Sequence, residues 1–183
     1  DSGIRGRLLV RAPLEPDALI AVAREMRSIH HLLRPLRAFE LPGRGALDAL
    51  AAELASLEIP GLGATTKFRV TAQRRGQHDF TSQDVERLAG AEIERRFGAP
   101  VDLVGFDVEV EIAVVDQLCS VGLRLTRRAL SKRLPRVYNA RAALRANVAY
   151  AALRMTGIGP GTRRLLDPFC GSGTILMEAG ALH

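Results

Sequence analysis

The octet Asp167–Thr174, DPFCGSGT, constrains this chain more than any other stretch. It lies between a short apolar run, Leu165-Leu166, and an apolar helical pattern, Ile175-Leu176-Met177-Glu178-Ala179. That order reads as strand, glycine turn and helix start. Gly171 and Gly173 let a ligand approach the backbone where a Cβ would clash, and the N–H groups that open the helix can receive an anionic or polar group of a cofactor. Asp167 stands at the carboxyl end of the strand, where open α/β sheets bind ligands. A purely structural glycine turn is the alternative. A doubly wound domain needs several further βα units, and only the first is present before His183. The chain, which starts at Asp1 rather than methionine, is therefore expected to be part of a longer protein.

With 183 residues and 47% hydrophobic content, the chain can bury one or two cores. No run approaches membrane-spanning length, and the start carries only a three-residue apolar run, Leu8 to Val10, too short for a signal peptide. A cytoplasmic protein with no membrane partner is expected. Cys119 and Cys170 have no metal-ligand spacing and are too few for a disulfide framework, and the histidines form no ligand pattern, so no metal is expected. Cys119 reads as a small core residue. From Gln117 to Leu166 there are eleven Lys or Arg and no Asp or Glu, so the remaining residues carry −5 against the chain's +6. The basic set runs from Arg124 through Arg127, Arg128, Lys132, Arg133, Arg136, Arg141, Arg145, Arg154 and Arg163 to Arg164. Folded together, it could offer phosphates a positive surface. Any single member could equally be a solvated surface residue or a partner for a helix end.

Gly6 to Val10 reads as a strand, followed by an amphipathic helix from Asp17 to about Ile29 with Leu19, Val22, Ala23 and Met26 inward. A second helical pattern runs from Gly45 to Leu57, and the Pro60-Gly61 and Gly63 cluster marks a boundary. Phe68, Val70 and Ala72 alternate with polar residues as in a half-buried strand, with a polar turn from Gln73 to Asp79. Thr81 with Asp84 opens a helix like a capping box, Val85, Leu88, Ala89, Ile93 and Phe97 repeat at helical spacing, and Gly98 stops it. Val108 to Val114 and Val121 to Leu125 form a hairpin around a turn at Asp116-Gln117. Strand, helix, strand, strand with no long crossover suggests an α+β domain. Thr126 to Asn139 loses periodicity and reads as a linker. A helix resumes near Ala140, with Leu144, Val148, Ala152 and Met155 inward, Arg141 and Arg145 one turn apart, and Gly157 at its end.

DPFCGSGT resembles motif I of S-adenosylmethionine-dependent methyltransferases, in the form found in enzymes that methylate exocyclic amines of nucleobases. The segment KFRVTAQRRGQHDFTSQDVERLAGAEIERRFGAPVDL, with the FDVEVEIAVVDQLCSVGLRLT hairpin, resembles a THUMP RNA-binding domain. With LSKRLPR and the Arg141 helix ahead of DPFCGSGT, nearly the whole chain is similar to THUMP-containing tRNA guanine-N2 methyltransferases. The resemblance implies an N-terminal ferredoxin-like domain at 1–60, a THUMP domain at 61–126 and a linker at 127–139. At 140–183 it implies the first βα unit of a Rossmann-like methyltransferase domain.

The resemblance further implies a monomeric enzyme that transfers methyl from S-adenosylmethionine to N2 of a guanosine in tRNA, at position 6 of the acceptor stem. Asp167, Pro168, Phe169, Gly171, Ser172, Gly173 and Thr174 would form the cofactor loop. Arg74, Arg75, Phe80, Arg127, Arg128, Lys132, Arg133, Arg136 and Arg141 would face RNA, Arg141 alternatively the cofactor. An ordinary polar turn at Arg74 to Phe80 is the competing reading. The family's Asn/Asp-Pro-Pro-aromatic catalytic motif is absent from these residues, so no catalytic residue is assigned. An aromatic content of 4% argues against extensive base stacking. Methylation of guanine in 23S rRNA, a non-catalytic THUMP module and, less favoured, DNA amino-methylation are the alternatives.

Overall fold

The computed structural model describes residues 6–132, 143–158, 161 and 164–182. Its elements are α1 (Pro16–Glu25), β1 (Leu33–Glu40), α2 (Ala46–Ser56), β2 (Phe68–Arg75), α3 (Ser82–Phe97), β3 (Val108–Val115), β4 (Leu118–Arg124), α4 (Ala146–Met155) and α5 (Thr174–Gly180). They divide into two compact units, one of Asp1–Pro13 with Leu33–Leu125, the other of Leu14–Leu32 with Thr126–His183. The division does not fall at residue 60. Of the segment expected to form its own domain, residues 14–32 belong with the second unit and residues 33–60 with the first.

The first unit is a mixed four-stranded sheet in the order β1-β4-β3-β2. β3 pairs antiparallel with β4, β4 antiparallel with β1, and β2 runs parallel to β3 from Phe68 opposite Val108 to Arg75 opposite Val115. A parallel pair needs a crossover, and α3 supplies it, in place of the expected succession without a long crossover. α2 and α3 contribute Leu50, Leu54, Val85, Ala89 and Ile93 to one core with Phe68, Val110, Ile112, Val114 and Val121 from the sheet. Leu50 and Phe68 are completely buried, and each such side chain stabilises the fold by about 1.5–3 kcal/mol. Leu50, Leu54, Leu57 and Ile59 all precede the Pro60-Gly61 break yet enter this core, which is why no boundary forms there.

α3 follows its local signals closely. Thr81 Oγ1 accepts the Asp84 N–H at 3.2 Å, the Thr81 N–H donates to Asp84 Oδ2 at 2.8 Å, and Gly98 closes the helix at φ +64°. Thr81 also holds the Asp84 carboxyl below its ordinary pKa. Gly6 to Val10, by contrast, forms no strand, and Leu8 is 83% exposed.

In the second unit α4 packs on α5. Helix α4 starts at Ala146 with Arg145 at its N-cap, so Arg145 lies at the helix entrance; Arg141 is outside the described residues. Its buried face is Ala146, Ala149 and Leu153, whereas Leu144, Val148, Ala152 and Met155 are exposed. In α1, Ala23 is buried while Val22 is exposed, as is Met26 just beyond the helix. Among the described residues, no helix is long and apolar enough to cross a membrane.

Candidate cofactor loop and nucleic-acid interface

The Asp167–Thr174 loop turns as its glycines require. Gly171 and Gly173 adopt φ +54° and +73°, in the left-handed region where a side chain is strained. The loop closes on itself: Asp167 Oδ1 accepts the Phe169 N–H at 3.1 Å, and the Gly173 N–H donates to the Cys170 carbonyl at 2.7 Å. Ser172 Oγ and Thr174 Oγ1 lie 3.2 Å apart, and buried Thr174 begins α5. A Cβ built on Gly173 would meet nothing within 4 Å, so the backbone there is open to a ligand. Phe169 beside it is 92% exposed. Left-handed glycines and the open space beside Gly173 fit a cofactor bound through backbone groups. Leu165-Leu166 is not a strand among the described residues, because no neighbouring strand pairs with it there.

Two residues that sequence reasoning missed hold α5. Glu178, fully buried, accepts Arg27 Nε at 3.1 Å and Arg27 Nη2 at 2.7 Å on the same oxygen, Oε2. Arg27 Nη1 also donates to the Ala181 carbonyl at 2.8 Å. An acidic residue inside an apolar seven-residue run was the available signal.

Within the stretch expected to be a linker, the described residues are held by hydrogen bonds. Thr126 Oγ1 accepts the Leu32 N–H at 3.2 Å, Ser131 Oγ meets His30 Nδ1 at 2.6 Å, and the Leu130 N–H donates to the His30 carbonyl at 2.8 Å. This pins residues 126–131 and leaves Arg127, Arg128 and Lys132 exposed along one short segment. Arg133, Arg136 and Arg141 lie outside the described residues.

In the first unit, β2 continues through Gln73 to Arg75, where a turn was expected. Arg74 Nη1 donates to His78 Nδ1 at 3.2 Å, and His78 Nε2 to the Asp116 carbonyl at 2.7 Å. Because Arg is only a donor and a carbonyl only an acceptor, these bonds select the imidazole tautomer with its proton on Nε2. Arg75 is exposed at the strand end. Phe80 corrects an expectation: it is 5% exposed, packs into the core and supports the His78 ring at 4.9 Å, leaving no face for a base. His78, Gln77, Arg44 and Gln117 border an open cleft of about 910 Å³.

Arg124 also leaves the basic set. Its side chain is 10% exposed, with Nη1 2.7 Å from Glu109 Oε1, and it forms a two-pronged pair with Glu111. Arg69 reaches Glu109 at 2.9 Å while stacking 4.0 Å over Phe106, and Arg7 pairs with Glu111. Glu109 and Glu111, which alternate in β3 as solvent-facing residues would, are both 3% exposed. Burial pushes the Cys119 thiol up to about 12, which makes it an unreactive core residue.

Two family models match the chain: a THUMP domain over residues 46–124, and the RMKL-like methyltransferase domain UPF0020 over residues 133–183. The chain is 42% identical over 160 residues to a tRNA (guanine(6)-N2)-methyltransferase of Thermus thermophilus, covering 85% of this chain and 46% of that relative. An Archaeoglobus fulgidus protein of the same name is 32% identical over 185 residues, covering 97% of this chain and 45% of its own length. Among solved structures, TrmN from Thermus thermophilus matches with a TM-score of 0.71 at 38% identity, covering 94% of this chain and 50% of that one. The chain thus spans about half the length of the relatives it matches. Its order of domains is that of a THUMP domain followed by residues of a UPF0020 methyltransferase domain.

Proposed function

We propose that the full-length protein methylates N2 of guanosine in tRNA with S-adenosylmethionine as donor. The observation that carries the reading is the open left-handed glycine loop at Gly171 and Gly173, in a chain 42% identical to a tRNA (guanine(6)-N2)-methyltransferase. The loop's backbone, with Asp167, Pro168, Phe169, Ser172 and Thr174 shaping it, would hold the cofactor. When bound, S-adenosylmethionine would supply an electrophilic methyl carried on a sulfonium sulfur, for which guanine N2 would be the acceptor. Asp167 holds the Phe169 N–H and so keeps the loop turned back toward the helix start. The N2 lone pair is conjugated into the base, so acceptors outside these residues are needed to orient it. The base must also leave its stack to be reached.

The THUMP match and the exposed Arg127, Arg128 and Lys132 support RNA as the substrate class. Arg75 at the end of β2, with Arg74 held by His78, supports a second phosphate contact, and Arg133, Arg136 and Arg141 complete the proposed basic set. Position 6 of the acceptor stem, the monomeric state and a cytoplasmic location belong to the same proposal. The test offers the full-length protein S-adenosylmethionine with tRNA and rRNA in competition. Preferential transfer to tRNA supports the proposal, transfer to rRNA moves the substrate, and binding of RNA without transfer to either overturns it in favour of a non-catalytic module.

A further inference from the structure

We infer that Arg27 is a positioning residue for the glycine loop, acting by stapling the helix that the loop starts; the inference rests on the reading of that loop as the cofactor site. Helix α5 has seven residues, TILMEAG, in which Glu178 is the sole charge. So short a helix does not hold its own shape or direction in water, and its orientation must come from tertiary anchors. Its N-terminal anchor is the loop itself, through the Gly173 N-cap and buried Thr174. One turn later on the same face comes Glu178, which has no exposed surface.

A carboxylate at that depth is retained only with a matching cation, and Arg27 supplies it from a point 151 residues earlier in the chain. The guanidinium does more than neutralise. Nε and Nη2 hold Glu178 Oε2 at 3.1 and 2.7 Å, while Nη1 holds the Ala181 carbonyl at 2.8 Å, at the C-terminal end of α5. One planar group therefore grips the helix at its middle and at its end. The Tyr150 ring of α4 lies 6.0 Å from the same guanidinium, on the helix against which α5 packs. A cation at the helix C-terminus also suits the helix dipole. The helix is about 10 Å long at 1.5 Å per residue. Loosening its far end therefore tilts the whole helix and swings the N–H groups of the loop. Misplacements on the order of 1 Å in positioning elements carry large functional losses.

The test separates positioning from folding with the full-length protein and three variants. Arg27→Met leaves the Glu178 carboxylate buried without its guanidinium and lowers Tm. Arg27→Met with Glu178→Met removes both charges, so Tm returns toward the original value. Its KM and Kd for S-adenosylmethionine are nevertheless expected to rise about tenfold, with kcat at saturating cofactor and KM for RNA within about twofold. Arg27→Lys keeps the charge but not the planar fork and should keep Tm while weakening cofactor binding. A double variant with recovered Tm and unchanged cofactor affinity overturns the inference, as does unchanged affinity in Arg27→Lys. If the unsubstituted protein binds no S-adenosylmethionine, the functional reading fails and the inference falls with it.

Discussion

Arg124→Met should unfold the first unit far more readily than its place in a run of basic residues suggests. Arg124 is 10% exposed and contacts two carboxylates, on Glu109 and Glu111, that are 1% and 3% exposed in their side chains. Removing one partner of a buried pair costs about 3–5 kcal/mol, because the surviving charge stays desolvated. Arg69 and Arg7 remain beside the same carboxylates, yet their side chains are 26% and 24% exposed, so they offset part of the loss and bring it near the lower limit. We expect a destabilisation of about 3 kcal/mol, or a fall in Tm of roughly 12–24 °C for a domain of this size. Urea unfolding followed by circular dichroism reads it directly, with the midpoint shifted and the slope unchanged. Adding Glu111→Met to Arg124→Met should recover only part of the loss, since one of the two buried carboxylates is removed with the arginine while Glu109 keeps Arg69 alone. A single variant within about 0.5 kcal/mol of the original would refute the reasoning, because that is the range of ordinary surface substitutions.

Three further outcomes follow from the geometry. Gly76→Ala should destabilise by about 1–3 kcal/mol in thermal unfolding, because φ is +102° and a Cβ there would lie 2.6 Å from Asp116 Oδ1 and 3.3 Å from the Asp116 backbone. Asp102 is held down to about 2 from 3.8 by the N–H groups of Gly105 and Val104 and by the Lys67 ammonium. A depressed carboxylate contributes stability above its ordinary pKa that is lost as pH falls through the folded value. Tm should therefore decline from about pH 4 to about pH 2, and Asp102→Asn should flatten that decline. Arg127→Glu with Arg128→Glu should weaken RNA binding and reduce the slope of log affinity against log salt by about 2, measured by filter binding over a salt series.

Where local signals agreed, the sequence was readable. Thr81, Asp84, the apolar repeat from Val85 to Phe97 and Gly98 all point to one helix, and α3 spans Ser82–Phe97. The glycine loop was readable because positive φ at Gly171 and Gly173 is tied to residue type. β1 was not read from LRPLRAFE because Pro35 and two arginines break its alternation. Proline is tolerated there because β1 is an edge strand whose register shifts between Pro35 and Arg37. Gly122 faces it, with the Arg34 carbonyl 2.9 Å from where a Cβ would stand. The face of α4 was misjudged because ANVAYAALRM is apolar around most of its circumference, so periodicity alone could not choose between Ala146, Ala149 and Leu153 and the stripe through Val148 and Met155. The charged ladder was hidden for a different reason. Alternating glutamates in β3 look solvent-facing until Arg7, Arg69 and Arg124 arrive from elsewhere in the chain.

The most direct measurement of the central claim is nucleoside analysis of tRNA incubated with the full-length protein and isotopically labelled S-adenosylmethionine, followed by mapping of the labelled nucleotide. Label is expected as N2-methylguanosine at position 6 of the acceptor stem, abolished by a bulky substitution at Gly173. Label on another atom or in another nucleic acid, or unmodified tRNA from a protein that binds both cofactor and RNA, would contradict it.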